Sequence, residues 1–203
     1  MLLIQPRRFL RKIYPKAIWH YNRDEKNIYL SFDDGPIPDV TEWVLDELGK
    51  HHVNATFFCV GANVLKHHAI YRRILEEGHV AANHSMFHTR GFSAGTEAYV
   101  QEVEACKKLI GNSIFRPPYG QMKRGQYKTL KAKGYKIVMW DVISYDYEKI
   151  EAERVLQNVK QYSKPGSIIV FHDSLKAEKN LRYVLPKTLE FFLEQGFAFK
   201  TID

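Results

Sequence analysis

The chain has 203 residues, 45% of them hydrophobic and 26% charged, which suits one globular domain with its own apolar core. Its net charge is +7, but no zinc-finger spacing, helix-turn-helix cue or aromatic-and-glycine RNA-binding signature accompanies the basic residues, so they read as a solvated surface and nucleic acid is excluded as a partner. No run approaches the ~20 apolar residues of a membrane span, and the two cysteines, Cys59 and Cys106, fit small core residues of a reduced protein rather than a disulfide framework.

The chain opens on Met1-Leu2-Leu3-Ile4 ahead of Pro6-Arg7-Arg8. The apolar stretch is too short, and its basic residues on the wrong side, for a signal peptide, which points to a cytoplasmic location. Residues 7–14 mix basic and apolar side chains at helical spacing, and Pro15 ends them. They read either as a weak interfacial anchor at anionic lipid or as a cover in which Phe9, Leu10 and Ile13 close the far end of the fold. Residues 1–26 are thus a basic segment packing on, or leading into, a domain spanning 27–203.

Within that domain, β-rich runs fall at 28–32, 55–60, 79–82, 113–115, 135–140, 167–171 and 197–200. Helical stripes separate them: Val40, Trp43, Val44 and Leu48; Val64, His68, Tyr71 and Leu75; Tyr99, Val103, Cys106 and Ile110; Leu181, Val184, Leu185 and Phe192. Weaker helices fit 126–133 and 152–162. Gly49, Gly78, Gly111, Gly134 and Gly196 stand where helices should end. Seven strands alternating with helices imply an α/β fold with a parallel sheet, closed as a barrel or left open.

In a parallel barrel, chemistry gathers where the strands end. Asp33-Asp34 follow the first run, Asn83-His84 the third, Arg116 the fourth, Asp141 the fifth and His172-Asp173 the sixth. His84 and His88 are four apart, so one helical turn would put both imidazoles on one face, near enough to share a cation. The plainer alternative is a surface pair, as His51-His52 and His67-His68 suggest. A nearby aspartate completes a two-His, one-Asp set with open positions, as a hydrolytic metal needs. Asp33-Asp34 supply that carboxylate and one more, while Asp-Asp-Gly-Pro would also serve as a plain turn. Arg116-Pro117-Pro118-Tyr119-Gly120 is a stiff loop. His172 emerges from the apolar run 168–171 and needs an acidic partner to act as a proton donor, with Asp146 and Asp173 as candidates.

These strings resemble the polysaccharide deacetylases of carbohydrate esterase family 4, the NodB homology domain, over roughly residues 27–203. The resemblance implies a distorted seven-stranded, TIM-barrel-like (β/α) barrel. It makes Asp33 the catalytic base in Ser31-Phe32-Asp33-Asp34-Gly35-Pro36, with Asp34, His84 and His88 as ligands of a divalent metal. That metal is zinc by preference, with cobalt, nickel or manganese as substitutes. It assigns Arg116 to orienting the base, the Tyr119 backbone N–H to the oxyanion, and His172 to general acid steered by Asp146. Tyr147 stands where the family usually has Trp, which bears on the shape of the acetyl pocket; Asp141 after Trp140 is a rival for the role of Asp146. The implied activity is removal of N-acetyl groups from N-acetylated sugars: chitin oligosaccharides, peptidoglycan-type glycans or another N-acetylhexosamine. The alternatives are an amidohydrolase of the same fold acting on small molecules, and a non-catalytic sugar- or membrane-binding module.

Overall fold

The computed structural model describes residues 4–6 and 8–203, with Arg8 by its backbone alone. Residues 1–3 and Arg7, part of the basic N-terminal stretch, lie outside the described residues. In chain order the elements are α1 (Arg8–Ile13), β1 (Asn27–Asp33), α2 (Val40–Lys50), β2 (Thr56–Cys59), α3 (Gly61–Lys66), α4 (His68–Glu76) and β3 (Val80–Asn83). Then come α5 (Thr96–Ile110), β4 (Ile114–Phe115), α6 (Arg124–Ala132), β5 (Lys136–Ile137), β6 (Val142–Ile143), α7 (Ala152–Tyr162), β7 (Ile168–His172), α8 (Glu178–Glu194) and β8 (Ala198–Lys200).

Every strand pairing is parallel, in the order β5-β4-β3-β2-β1-β7-β6, and β8 lies beside the start of β1. This curled sheet wrapped by helices is the distorted β/α barrel expected. The strand absent from the expectation is β6: its two residues carry no periodicity, and it pairs with Ile169 and Val170 of β7. The run 135–140 forms a ladder only at Lys136–Ile137, because Trp140 leaves the sheet there to pack near Trp19 and Gly120.

Between β5 and β7 the N-terminal segment spans the gap. Ile18 N–H donates to the Ile137 carbonyl (2.8 Å), Met139 N–H to Ile18 (2.7 Å) and Tyr21 N–H to Gly166 (2.8 Å). Residues 18–21 therefore satisfy backbone groups that an open sheet edge would leave bare.

Alternation along the strands sorts the residues. On β1, Ile28, Leu30 and Phe32 join the core under α2, α7 and α8, so Ser31 and Asp33 face the barrel interior. On β7, Ile169 and Phe171 face the same helices while His172 turns inward. Phe32 stacks between Phe57 and Phe171 at centroid distances of 5.1 and 6.2 Å.

The helical stripes at Tyr99–Val103–Cys106–Ile110 and Leu181–Val184–Leu185–Phe192 are buried, and both cysteines are free and buried. Two helical expectations need correction. The stretch 61–76 is two helices meeting at His67, so its buried face is Val64, Ile70, Tyr71 and Ile74, while Leu75 is exposed. Gly49 lies inside α2 and caps nothing; the left-handed residue after that helix is His52, with φ 54°.

Candidate active site

The ends of β1, β3, β4 and β7 converge on a cavity of about 590 Å³ lined by Asp33, Asp34, His84, His88, Arg116 and His172, among others. β1 and β7 pair in a register that sets Asp33 directly opposite His172, which places two inward-facing polar side chains one strand spacing apart.

Asp33 and Asp34 turn to one centre although they are adjacent. Neighbouring side chains of an extended strand point opposite ways, but the strand stops at Asp33 and Asp34 takes φ 88°. That left-handed turn swings its carboxylate back to the same centre. The two carboxylates lie 3.9 Å (Asp33) and 3.8 Å (Asp34) from His84 Nε2, and Asp34 lies 3.1 Å from His88 Nε2. Nor does a helix join the two histidines. They sit on an irregular loop after β3, with Ser85 at φ 65° and His88 at φ 57°, which brings the rings to a centroid distance of 5.0 Å. Asn83 shapes that loop: its Oδ1 accepts the Ser85 N–H (2.8 Å) while its amide donates to the Val103 carbonyl (2.9 Å).

One ligand atom each from Asp34, His84 and His88 lie within 4.8 Å of one another. Three ligands ~2.1 Å from one zinc would be separated by about 3–4 Å, so the donor set fits such an ion. His84 Nδ1 lies 2.8 Å from the Arg116 carbonyl; only a protonated Nδ1 can donate there, which leaves Nε2 as the ligand nitrogen. Burial pushes His84 down to about 4 despite the opposing charge of Asp33, so the ring is neutral at ordinary pH. Burial works against an ionised Asp34, but the His88 hydrogen bond and the charge of His172 hold it well below the usual carboxylate range.

Arg116 is 1% exposed and crosses the barrel interior. Its Nη1 donates to Asp33 Oδ1 (2.5 Å) and Ser31 Oγ (2.9 Å), its Nη2 donates to the Met139 carbonyl (3.0 Å), and its guanidinium lies 3.8 Å from the centre of the Phe58 ring. A buried guanidinium held this way fixes one oxygen of Asp33 and leaves the other facing the histidines.

His172 Nδ1 pairs with Asp146 Oδ1 at 2.8 Å, and its backbone N–H donates to Asp146 Oδ2 at 2.8 Å. Burial alone would depress His172, but the charge and hydrogen bond of Asp146 outweigh it and raise the ring to about 9. Tyr147 packs edge-on against His172 at 4.6 Å. Asn180, which carried no signal in the sequence, anchors this loop by donating to the carbonyls of Asp146 (2.9 Å) and Glu148 (3.1 Å).

The rival aspartates stand elsewhere. Asp141 is not on the rim: its N–H donates to the Ile168 carbonyl at the opposite end of β7, and its carboxylate takes Arg23 (2.7 Å), Arg11 (3.3 Å) and the Ser167 hydroxyl (2.6 Å). Asp173 bonds Gly35 and Thr41 rather than His172. Tyr119 lines the cavity at φ 59° beside His88, ring centroids 4.7 Å apart. Pro6 and Leu10 also line it, so α1 borders the cavity and not the far end, and it turns Phe9 (52% exposed) and Ile13 (46%) outward.

Comparison with known proteins agrees with this geometry. Residues 20–138 match the model of the Polysaccharide deacetylase family. A peptidoglycan-N-acetylglucosamine deacetylase of Bacillus cereus is 31% identical over 192 residues, covering 91% of this chain and 90% of that protein. The chain belongs to the polysaccharide deacetylase family. A chitooligosaccharide deacetylase of Rhizobium leguminosarum is 34% identical over 158 residues, 74% of this chain and 73% of that protein. Among polysaccharide deacetylases of known structure, a peptidoglycan N-acetylglucosamine deacetylase solved with 4-naphthalen-1-yl-N-oxidanyl-benzamide superposes with a TM-score of 0.85 at 30% identity, covering 92% of this chain and 91% of that one. Other relatives are longer: the chain spans 58% of a second Bacillus cereus deacetylase and 40% of one from Listeria monocytogenes.

Proposed function

We propose that this deacetylase uses zinc to hydrolyse the N-acetyl group of an N-acetylhexosamine within a glycan, releasing acetate and a free amine. Support comes from relatives named for peptidoglycan and chitooligosaccharide substrates. The observation that carries the reading is one cavity uniting a three-ligand set, an Arg-held carboxylate and an Asp-held histidine. Asp34, His84 and His88 would hold the ion, which when bound polarises an amide carbonyl and lowers the pKa of water. Asp33, held and aimed by Arg116, takes the proton of the attacking water. The Tyr119 N–H donates to the oxygen that becomes negative. His172, charged through Asp146 near neutral pH, gives its proton to the leaving amine. The Tyr147 ring walls one side of His172 and shields that transfer from solvent.

We further propose that the outer face of α1, with Phe9 and Ile13 exposed beside Lys12 and Lys16, rests on an anionic lipid surface next to the cavity. The test of the reaction is acetate release across chitin oligomers, peptidoglycan fragments and small amides. Release from the saccharides alone supports the reading; turnover of small amides alone would replace it with the amidohydrolase.

A further inference from the structure

Asp173 is a buried carboxylate beside His172 that the reaction above does not use. Burial pushes it up to about 8, so its location needs a reason. Its Oδ1 accepts the Gly35 N–H (3.0 Å) and its Oδ2 accepts the Thr41 hydroxyl (2.6 Å), whose oxygen in turn accepts the Ile37 N–H (2.8 Å). Its own N–H donates to the Asp33 carbonyl (3.1 Å). A Cβ on Gly35 would collide with this carboxylate, so the close approach requires glycine at that position. From the other side, Asn63 on α3 donates its amide to the Asp34 carbonyl (2.8 Å). The Gly35 carbonyl accepts the Val60 N–H (2.9 Å).

Asp34 C=O and Gly35 N–H belong to one peptide unit, and each end of it meets a side chain. Asp34 holds φ 88°, a region that residues with a Cβ avoid and keep only where their surroundings over-determine it. We propose that Asp173 and Asn63 are positioning residues: they pin the two ends of the Asp34–Gly35 peptide and so aim the Asp34 carboxylate at His84 and His88. This rests on the metal site proposed above. Released from either pin, the peptide can rotate toward the negative φ of an ordinary aspartate, and the carboxylate then swings out of the three-ligand set. Partners that orient a metal ligand typically change affinity by 10–100-fold when removed.

The test is calorimetric titration of the metal-stripped protein with zinc, alongside its melting temperature without metal. Asn63→Ala and Asp173→Ala are expected to weaken zinc binding by about 10–100-fold. Asp173→Asn, whose amide oxygen still accepts the Gly35 N–H, is expected to keep most of the affinity. Asn63 is half-buried on a helix, so its variant carries the test alone if Asp173→Ala fails to fold. Zinc affinity within twofold of the unaltered protein in Asn63→Ala and, where it folds, in Asp173→Ala would overturn the proposal, even with a lowered melting temperature. If the unaltered protein binds no zinc, the metal site itself falls, and this proposal with it.

Discussion

Asp33 and Asp34 face one centre, yet their partners give them different work: Arg116, itself braced by Ser31, holds the first, while His84 and His88 flank the second. Asp34→Asn should therefore weaken zinc binding markedly, since a neutral amide is a poor ligand. Asp33→Asn should keep the metal and lose at least the ~10²-fold typical of a missing general base; metal titration and turnover on both variants check the split, and the opposite pattern would reverse the roles. As the proposed acid, His172 should set the alkaline limit. Its raised value of about 9 means the proton-donating form prevails at neutral pH and is lost as pH rises through about 9, so turnover should fall there. Asp146→Asn removes the charge that raises the ring and leaves burial to lower it, so that limb should move to lower pH and turnover should drop. An unchanged alkaline limb in the pH–rate profile would separate Asp146 from the acid. Asp33, Asp34, His84, His88, Arg116 and His172 were legible as candidates because each stands at a strand end or recurs at ligand spacing, whereas Asp146 was one of two acidic candidates and the roles came from the family resemblance. Asn63 and Asn180 were not, and Ser31 and Asn83 were named without a role, because a lone hydroxyl or amide has no spacing signature. Ser31, for one, meets its partner Arg116 from 85 positions away.

At the level of elements, the N-terminal segment differs most from a sequence reading. Residues 18–21 bridge the barrel's open seam, and Leu10 borders the cavity. Backbone pairing of an irregular segment leaves no periodic mark, so the seam was invisible, as was the two-residue β6. Asp141, expected at the rim, instead ties α1 and Arg23 to the start of β7. Asp141→Asn should lower the melting temperature. Breaking a buried pair costs ~3–5 kcal/mol, and the low end applies here because both arginines are partly exposed. Acetate release well below melting should stay within about twofold, since no proposed metal ligand or proton carrier touches Asp141. A severe loss in the folded variant would return Asp141 to the active site. The same helix carries the membrane proposal. Co-sedimentation with anionic liposomes at low salt should be strong for the unaltered protein and weak for Phe9→Ser/Ile13→Ser. No binding by the unaltered protein removes that role.

Across the whole molecule, the barrel's architecture was readable from alternating strands and helices. The reason the Asp33-Asp34 pair meets His172, some 140 positions along the chain, is the β1–β7 register, which no local pattern encodes. The fold supplies a rigid rim, and every proposed ligand and proton carrier leaves it from a strand end or the loop just after it. Activity should accordingly depend on one bound ion rather than on any single side chain acting alone. The most direct measurement is acetate release from N-acetylglucosamine oligomers by the protein as purified, after exhaustive chelation, and after zinc is restored, with elemental analysis at each stage. Release should vanish with the metal and return with about one zinc per chain. Undiminished release from protein shown to be metal-free, or no release from protein shown to be loaded, would contradict it.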